Sequence, residues 1–236
     1  MEIFNTIQVS LELSRVQKKL HFEDPDRVQQ LIDTALSCIV PRAAFRDVYP
    51  DSEQDMGVVI EGIEFRSTVL RKNLENIGRV FPFVITIGDS LEQQAAEYED
   101  LLDRYLLDKI GDLILIQARR QLQNHLQQRY GFKKLSSMSP GSLPDWPLQE
   151  QEKLFSLLGD VQGRLGVGLN ESLLMLPRKS VSGMYFPTEV TFFSCQLCPR
   201  QNCEERKAAF DESKVEEYGL QEQSRPGMES KSKVPL

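Results

Sequence analysis

The sequence predicts an α+β fold, a mixed or antiparallel sheet packed with one long central helix and further helices. Three observations predict it. Leu102, Leu106, Ile110, Leu113, Leu115, Ala118, Leu122 and Leu126 keep a helical period over several turns. The run V-F-P-F-V-I-T-I-G at 80–88 reads as a buried strand. The remaining strands and helices follow one another without regular βαβ alternation, which disfavours a doubly wound parallel sheet.

In chain order, Ile7, Val9, Leu11 and Leu13 alternate as a strand would. Ser14 can cap a short helix over 15–20. Asp24-Pro25 then opens a second helix, with Asp24 as N-cap and Pro25 at the first helical position. Val28, Leu31, Ile32, Ala35 and Leu36 form its apolar face, and Pro41 ends it. A hairpin is expected from 58–61 and 63–66 around Gly62. Ser67 caps a helix running to about 76. The long helix is expected over 91–130, with a break near Gly111 and Gly131 as its terminator. A polar loop at 136–147 leads to a helix at 149–158. Segments 173–176, 181–186 and 190–194 read as strands. Residues 1–216 are expected to form one domain, with an N-terminal part (1–88) and a motif-bearing part (89–216). Charged and polar residues dominate 217–236, which is expected to be a disordered tail.

Composition excludes several classes. The chain has 236 residues and a net charge of −7, with a pI near 5.1. A nucleic-acid binder should show a basic patch instead. No apolar stretch is long enough to span a membrane, and the first ten residues lack the basic start of a signal peptide. Four cysteines are too few for a disulfide scaffold, so a reducing, cytoplasmic setting is expected. No Ser-His-Asp spacing, phosphate-binding Gly loop or His-Glu-x-x-His motif is present.

One cluster carries chemistry by its spacing. Cys195-x-x-Cys198-x-x-x-x-Cys203 could converge on one metal, as an iron–sulfur cluster or a zinc site. Arg200 and Arg206 would lower the thiol pKa values. The plain alternative is three reduced thiols at a strand end. Trp146 is read as packing against the helix it precedes, and His125 as a surface or satisfied core histidine.

A second set of residues carries a resemblance. Pro140, Gly141, Pro144 and Pro147, followed by Glu171, Ser172, Met175, Pro177 and then Ser180-Val-Ser182-Gly183, resemble the activation domain of cobalamin-dependent methionine synthase. The likeness is specific over 136–186 and weaker back through 103–129. It implies a free-standing activation-type protein rather than a complete methyltransferase. Such a protein docks on the corrinoid-bearing core of methionine synthase, or of a related methyltransferase. It allows oxidised cobalamin on that partner to be reduced and remethylated from S-adenosylmethionine. The resemblance places the pocket at Pro140, Gly141, Ser142, Glu171, Ser180, Ser182 and Gly183. It leaves open an alternative, a Cys-cluster electron-transfer or corrinoid-protein-binding module that has lost S-adenosylmethionine. Five positions depart from the family pattern. Its loop Arg falls on Ser137, its loop Tyr on Ser142 or Leu143, its paired Tyr on Phe192 and Phe193, and an acidic helix residue on Asn124.

Overall fold

The computed structural model describes residues 1–220. The elements run β1 (Glu2–Phe4), α1 (Leu13–Leu20), α2 (Pro25–Cys38), β2 (Arg42–Phe45), β3 (Pro50–Gln54), β4 (Gly57–Ile60), β5 (Ile63–Arg66), α3 (Thr68–Leu74), β6 (Phe81–Thr86), α4 (Ser90–Ala96), α5 (Leu101–Tyr130), β7 (Leu135–Met138), α6 (Glu150–Leu158), α7 (Val161–Leu165), β8 (Gly168–Leu169), β9 (Met175–Leu176) and β10 (Ser180–Pro187). A 3₁₀ turn (Ser194–Gln196) and α8 (Glu212–Glu217) follow.

The main sheet has the order β1-β2-β6-β10-β7, with every neighbouring pair antiparallel. Because side chains alternate along a strand, its two faces separate cleanly. Ala43, Phe45, Phe81, Phe83, Ile85 and Tyr185 point to one face and pack on Ala118, Leu122 and Leu126 of α5. Ala44, Val84, Met184 and Phe186 point to the other, where α3, α6 and Trp146 cover them. The N-terminal half of α5 leaves the sheet and packs through Leu106, Leu107, Ile110 and Ile114 on Val28, Leu31, Ile32 and Leu91. One helix therefore carries two cores. The expected α+β architecture with a central helix is what forms.

Local signals hold where their partners are local. Asp24 accepts a hydrogen bond from the Arg27 amide and Ser67 from the Leu70 amide, so both caps form. The hairpin pairs Ile60 with Ile63, and Glu61 and Gly62 turn with φ of 47° and 76°.

Several expectations are corrected. The alternating segment at 7–13 is not a strand of the sheet. It lies along α5, where the amide side chains of Gln117 and Gln121 take the place of a partner strand. The Gln8 amide donates to Gln121 Oε1 at 3.0 Å, and Gln117 Nε2 donates to the Ser10 carbonyl at 2.7 Å. The long helix breaks at 97–100, not at Gly111. Asp100 caps α5 by accepting from the Leu102 amide, while Arg104 closes the end of α4 through the carbonyls of Tyr98 and Ala96. Gly111 stays helical, and its missing side chain admits neighbours. A Cβ there would lie 2.9 Å from Leu91 Cδ2 and 3.2 Å from Lys179 Cε. The loop expected at 136–147 begins as strand β7, paired to β10. Segment 190–194 leads into the 3₁₀ turn instead of forming a strand, and 173–176 contributes only β9. Tyr218 and Leu220, expected in the tail, are buried against the core; residues 221–236 lie outside the described chain. No helix among the described residues is long and apolar enough to cross a membrane.

Candidate functional site

The seven residues assigned to a ligand pocket do not share one surface. Ser180 and Ser182 point into the α6 side of the sheet, and their hydroxyls are engaged there. Ser180 Oγ donates to the Pro177 carbonyl at 2.6 Å, and Ser182 Oγ to Gln151 Oε1 at 3.1 Å. Gly183 faces the opposite side, where a side chain would run into the Met138 carbonyl. Glu171 is exposed in the turn before β9. Pro140, Gly141 and Ser142 form the turn after β7, held by Gly141 N–H to the Trp146 carbonyl at 2.7 Å. The residue that fixes this loop went unnoticed in the sequence. Asp145 accepts from the amides of Thr68 and Val69 and from the Ser67 hydroxyl, tying the loop to the start of α3. Trp146 is fully buried and meets Phe65 edge-on at 6.5 Å. His125 stacks on Phe4 at 4.4 Å, and burial lowers its pKa.

The cysteine segment is organised by a cation. Arg206 Nη1 donates to the carbonyls of Cys195 (2.9 Å) and Ala208 (3.2 Å), and Nη2 donates to those of Cys198 (3.2 Å) and Arg200. A guanidinium suits this work, having five donors in a rigid fork. Cys195 Sγ accepts from the Lys207 amide at 3.4 Å. Among the described residues, no three His, Cys, Asp or Glu side chains gather as a metal site. Cys195, Cys198 and Cys203 thus do not fit the expected metal. Arg206 shapes the loop that carries them.

A different residue supplies charge beside the loop. Arg119 of α5 donates from Nη2 to Ser137 Oγ on β7 at 2.7 Å. Its own carbonyl accepts from the buried Tyr185 hydroxyl at 3.0 Å, and Tyr185 stacks on Phe83 at 4.3 Å. Two strands therefore hold this turn of α5 in place. Position 137 is where the resemblance puts an arginine in the family. Here the guanidinium comes to that position from the helix. The signal available in the sequence was the Arg119-Arg120 pair interrupting an apolar helix. Phe192 is packed inward against Tyr218 at 5.7 Å, with its amide on Ser136 Oγ.

Beside this turn of α5 lies a cleft of about 580 Å³ between α1, α5 and the segment 204–207. Leu11, Val16, Leu113 and Ile116 form its apolar lining, and Arg120 and Lys207 are among the charged residues on its walls. Lys207 has its pKa lowered by partial desolvation first, then by repulsion from Arg119.

A family model described as "Vitamin B12 dependent methionine synthase, activation domain" matches residues 137–209. That interval holds the motif-bearing loop, β10 and the cysteine segment. A crystal structure of the MetH reactivation domain bound to AdoHcy shares the fold, with a TM-score of 0.54 and 16% identity over 91% of this chain and 78% of that one. No curated protein matches the chain. The resemblance read from the motifs and the α+β fold are both borne out.

Proposed function

We propose that this protein assists the reductive reactivation of a cobalamin-dependent methyltransferase, methionine synthase foremost, by docking on its corrinoid-bearing module and presenting S-adenosylmethionine. One observation carries the reading. The segment that matches the activation-domain family builds the inner strand β10 and the strand and loop beside Arg119, inside a fold shared with a reactivation domain.

The residues suit the amino-acid end of S-adenosylmethionine. A carboxylate needs a cation, and Arg119 has donors left beyond the one given to Ser137. The turn at 140–142 is tied down by Asp145 and Trp146, so the loop is shaped before any ligand arrives. When bound, S-adenosylmethionine supplies its methyl group as a sulfonium. The protein's own contribution is to hold that group in line with the partner's corrinoid and to exclude water. The crystal structure that shares the fold has AdoHcy bound, which supports the same ligand class here.

Phe192 and Phe193 favour a second reading, a corrinoid-protein-binding module that acts without S-adenosylmethionine. They stand where the family has tyrosines, and Phe192 is buried.

The test is a reactivation assay. An oxidatively inactivated methionine synthase core without its own activation domain is given reductant, S-adenosylmethionine and this protein, and its methyltransferase activity is followed. Recovery that requires this protein and S-adenosylmethionine supports the first reading. Recovery independent of S-adenosylmethionine supports the second, and no recovery overturns both.

A further inference from the structure

The cleft between α1, α5 and 204–207 is basic in a chain of net charge −7. Five cationic side chains line it (Arg15, Lys19, Arg120, Arg206, Lys207) against three acidic ones (Glu12, Glu204, Glu205). Some of these cations are already engaged. Arg15 pairs with Glu12 at 2.8 Å and Lys19 with Glu205 at 3.1 Å, while Arg206 is spent on backbone carbonyls. Arg120 and the Lys207 ammonium have no hydrogen bond or ion pair among the described residues. They come from separate parts of the chain, α5 and the segment after the cysteines, and face one cleft.

Holding unpaired like charges together is unfavourable. Partial desolvation is the first cause that lowers the Lys207 pKa, and repulsion from Arg119 and, least, from Arg120 adds to it, although Cys195 and Glu205 pull the other way. A protein tolerates such an arrangement where an anion relieves it. The excess of two positive charges matches a dianion, and a phosphate monoester carries close to two negative charges at neutral pH. The cleft is larger than a bare phosphate requires and has the size of small-molecule sites. Leu113 and Ile116 on α5 and Leu11 opposite offer an apolar seat for the rest of the ligand.

We propose that this cleft binds a phosphorylated small organic molecule, its phosphate held by Arg120 and Lys207 and its apolar body resting on Leu113, Ile116 and Leu11. The site does not depend on the reactivation reading, because it uses neither Arg119 nor the loop at 140–142.

Calorimetric titration of the full chain with inorganic phosphate and with phenyl phosphate tests this. Both should bind, phenyl phosphate about tenfold more tightly through its apolar part. Lys207→Gln and Arg120→Gln should each weaken both probes by about tenfold or more, as the loss of a charged hydrogen-bond partner implies. Lys18→Gln, which removes an exposed cation of α1 outside the cleft, should leave binding unchanged. Neither cleft residue belongs to the hydrophobic core, so the variants should melt like the parent, and circular dichroism checks this. Absence of binding by either probe overturns the proposal. So does equal weakening by Lys18→Gln, which would mean non-specific charge attraction. Phenyl phosphate binding no tighter than inorganic phosphate overturns the organic ligand.

Discussion

Arg119 Nη2 on the long helix donates to Ser137 Oγ on the edge strand at 2.7 Å, across 18 residues of sequence. If this guanidinium receives the carboxylate of an S-adenosyl ligand, Arg119→Ala should weaken S-adenosylhomocysteine binding by about tenfold or more. Arg119→Lys should recover only part of it, because an ammonium cannot serve Ser137 and a carboxylate with one planar fork. Calorimetry with the non-reactive product measures this without a methyl-transfer step. Binding of the parent that Arg119→Ala leaves intact would remove Arg119 from the site.

Arg206 predicts the behaviour of the thiols. Its guanidinium gathers four carbonyls between Cys195 and Ala208. Arg206→Ala leaves those carbonyls without their donor and should loosen the segment locally. Cys195, Cys198 and Cys203 are all half-buried. They should react several-fold faster with a disulfide reagent in the variant, as local opening becomes easier. Chelators should not change the rate in the parent protein, since the Arg206 guanidinium holds the loop carbonyls.

Gly111 sets a packing prediction. In an exposed helix, Gly→Ala would stabilise by about 0.8–1 kcal/mol. Here the added methyl meets Leu91 and Lys179. Lys179 can yield little, because its ammonium pairs with Asp112 at 2.6 Å and Asp108 at 2.9 Å. Gly111→Ala should therefore destabilise the fold by about 1–3 kcal/mol, measured by urea unfolding.

Alkaline pH should act through two tyrosines. Burial pushes the Tyr185 hydroxyl up to about 12, and desolvation does the same for Tyr218. Each group keeps its proton in the folded chain after the unfolded chain has begun to lose it near pH ~10. Stability is then fully present below about pH 10 and falls as pH rises toward 12. Tyr185→Phe should flatten that fall. It should also cost about 1 kcal/mol at neutral pH, for the bond to the Arg119 carbonyl. Denaturant midpoints across the range from pH 8 to about 11 would show both effects.

Features with nearby causes were legible in the sequence. Asp24 and Ser67 cap helices whose first amides lie three residues on, Gly131 ends α5, and the hairpin around Gly62 needs only its own eight paired residues. The activation-type segment was legible for a related reason, since loop prolines and glycines leave a fixed pattern. The pocket assignment was weaker. Ser180, Ser182 and Gly183 carry the motif, yet alternation along β10 turns the two serines to one face of the sheet, Ser182 onto Gln151 of α6, and the glycine to the other.

Tertiary structure decided the rest, through partners far apart in the chain. The alternation of Ile7 to Leu13 says only that one side is apolar. Whether a strand or a helix satisfies the backbone depends on Gln117 and Gln121, more than a hundred residues away. The cysteine spacing likewise allowed a metal, yet among the described residues the path of the loop does not gather three ligating side chains. The meeting of Arg119 with Ser137, and of Arg120 with Lys207 across a cleft, follows from how α5 lies against the sheet and α1. By itself the sequence determined the α+β class, the caps at Asp24 and Ser67, the end of α5 at Gly131 and the family likeness, because these rest on short-range hydrogen bonds and residue periodicity. Which charged groups face one another was left to packing, because a helix face acquires its neighbours only when the core closes.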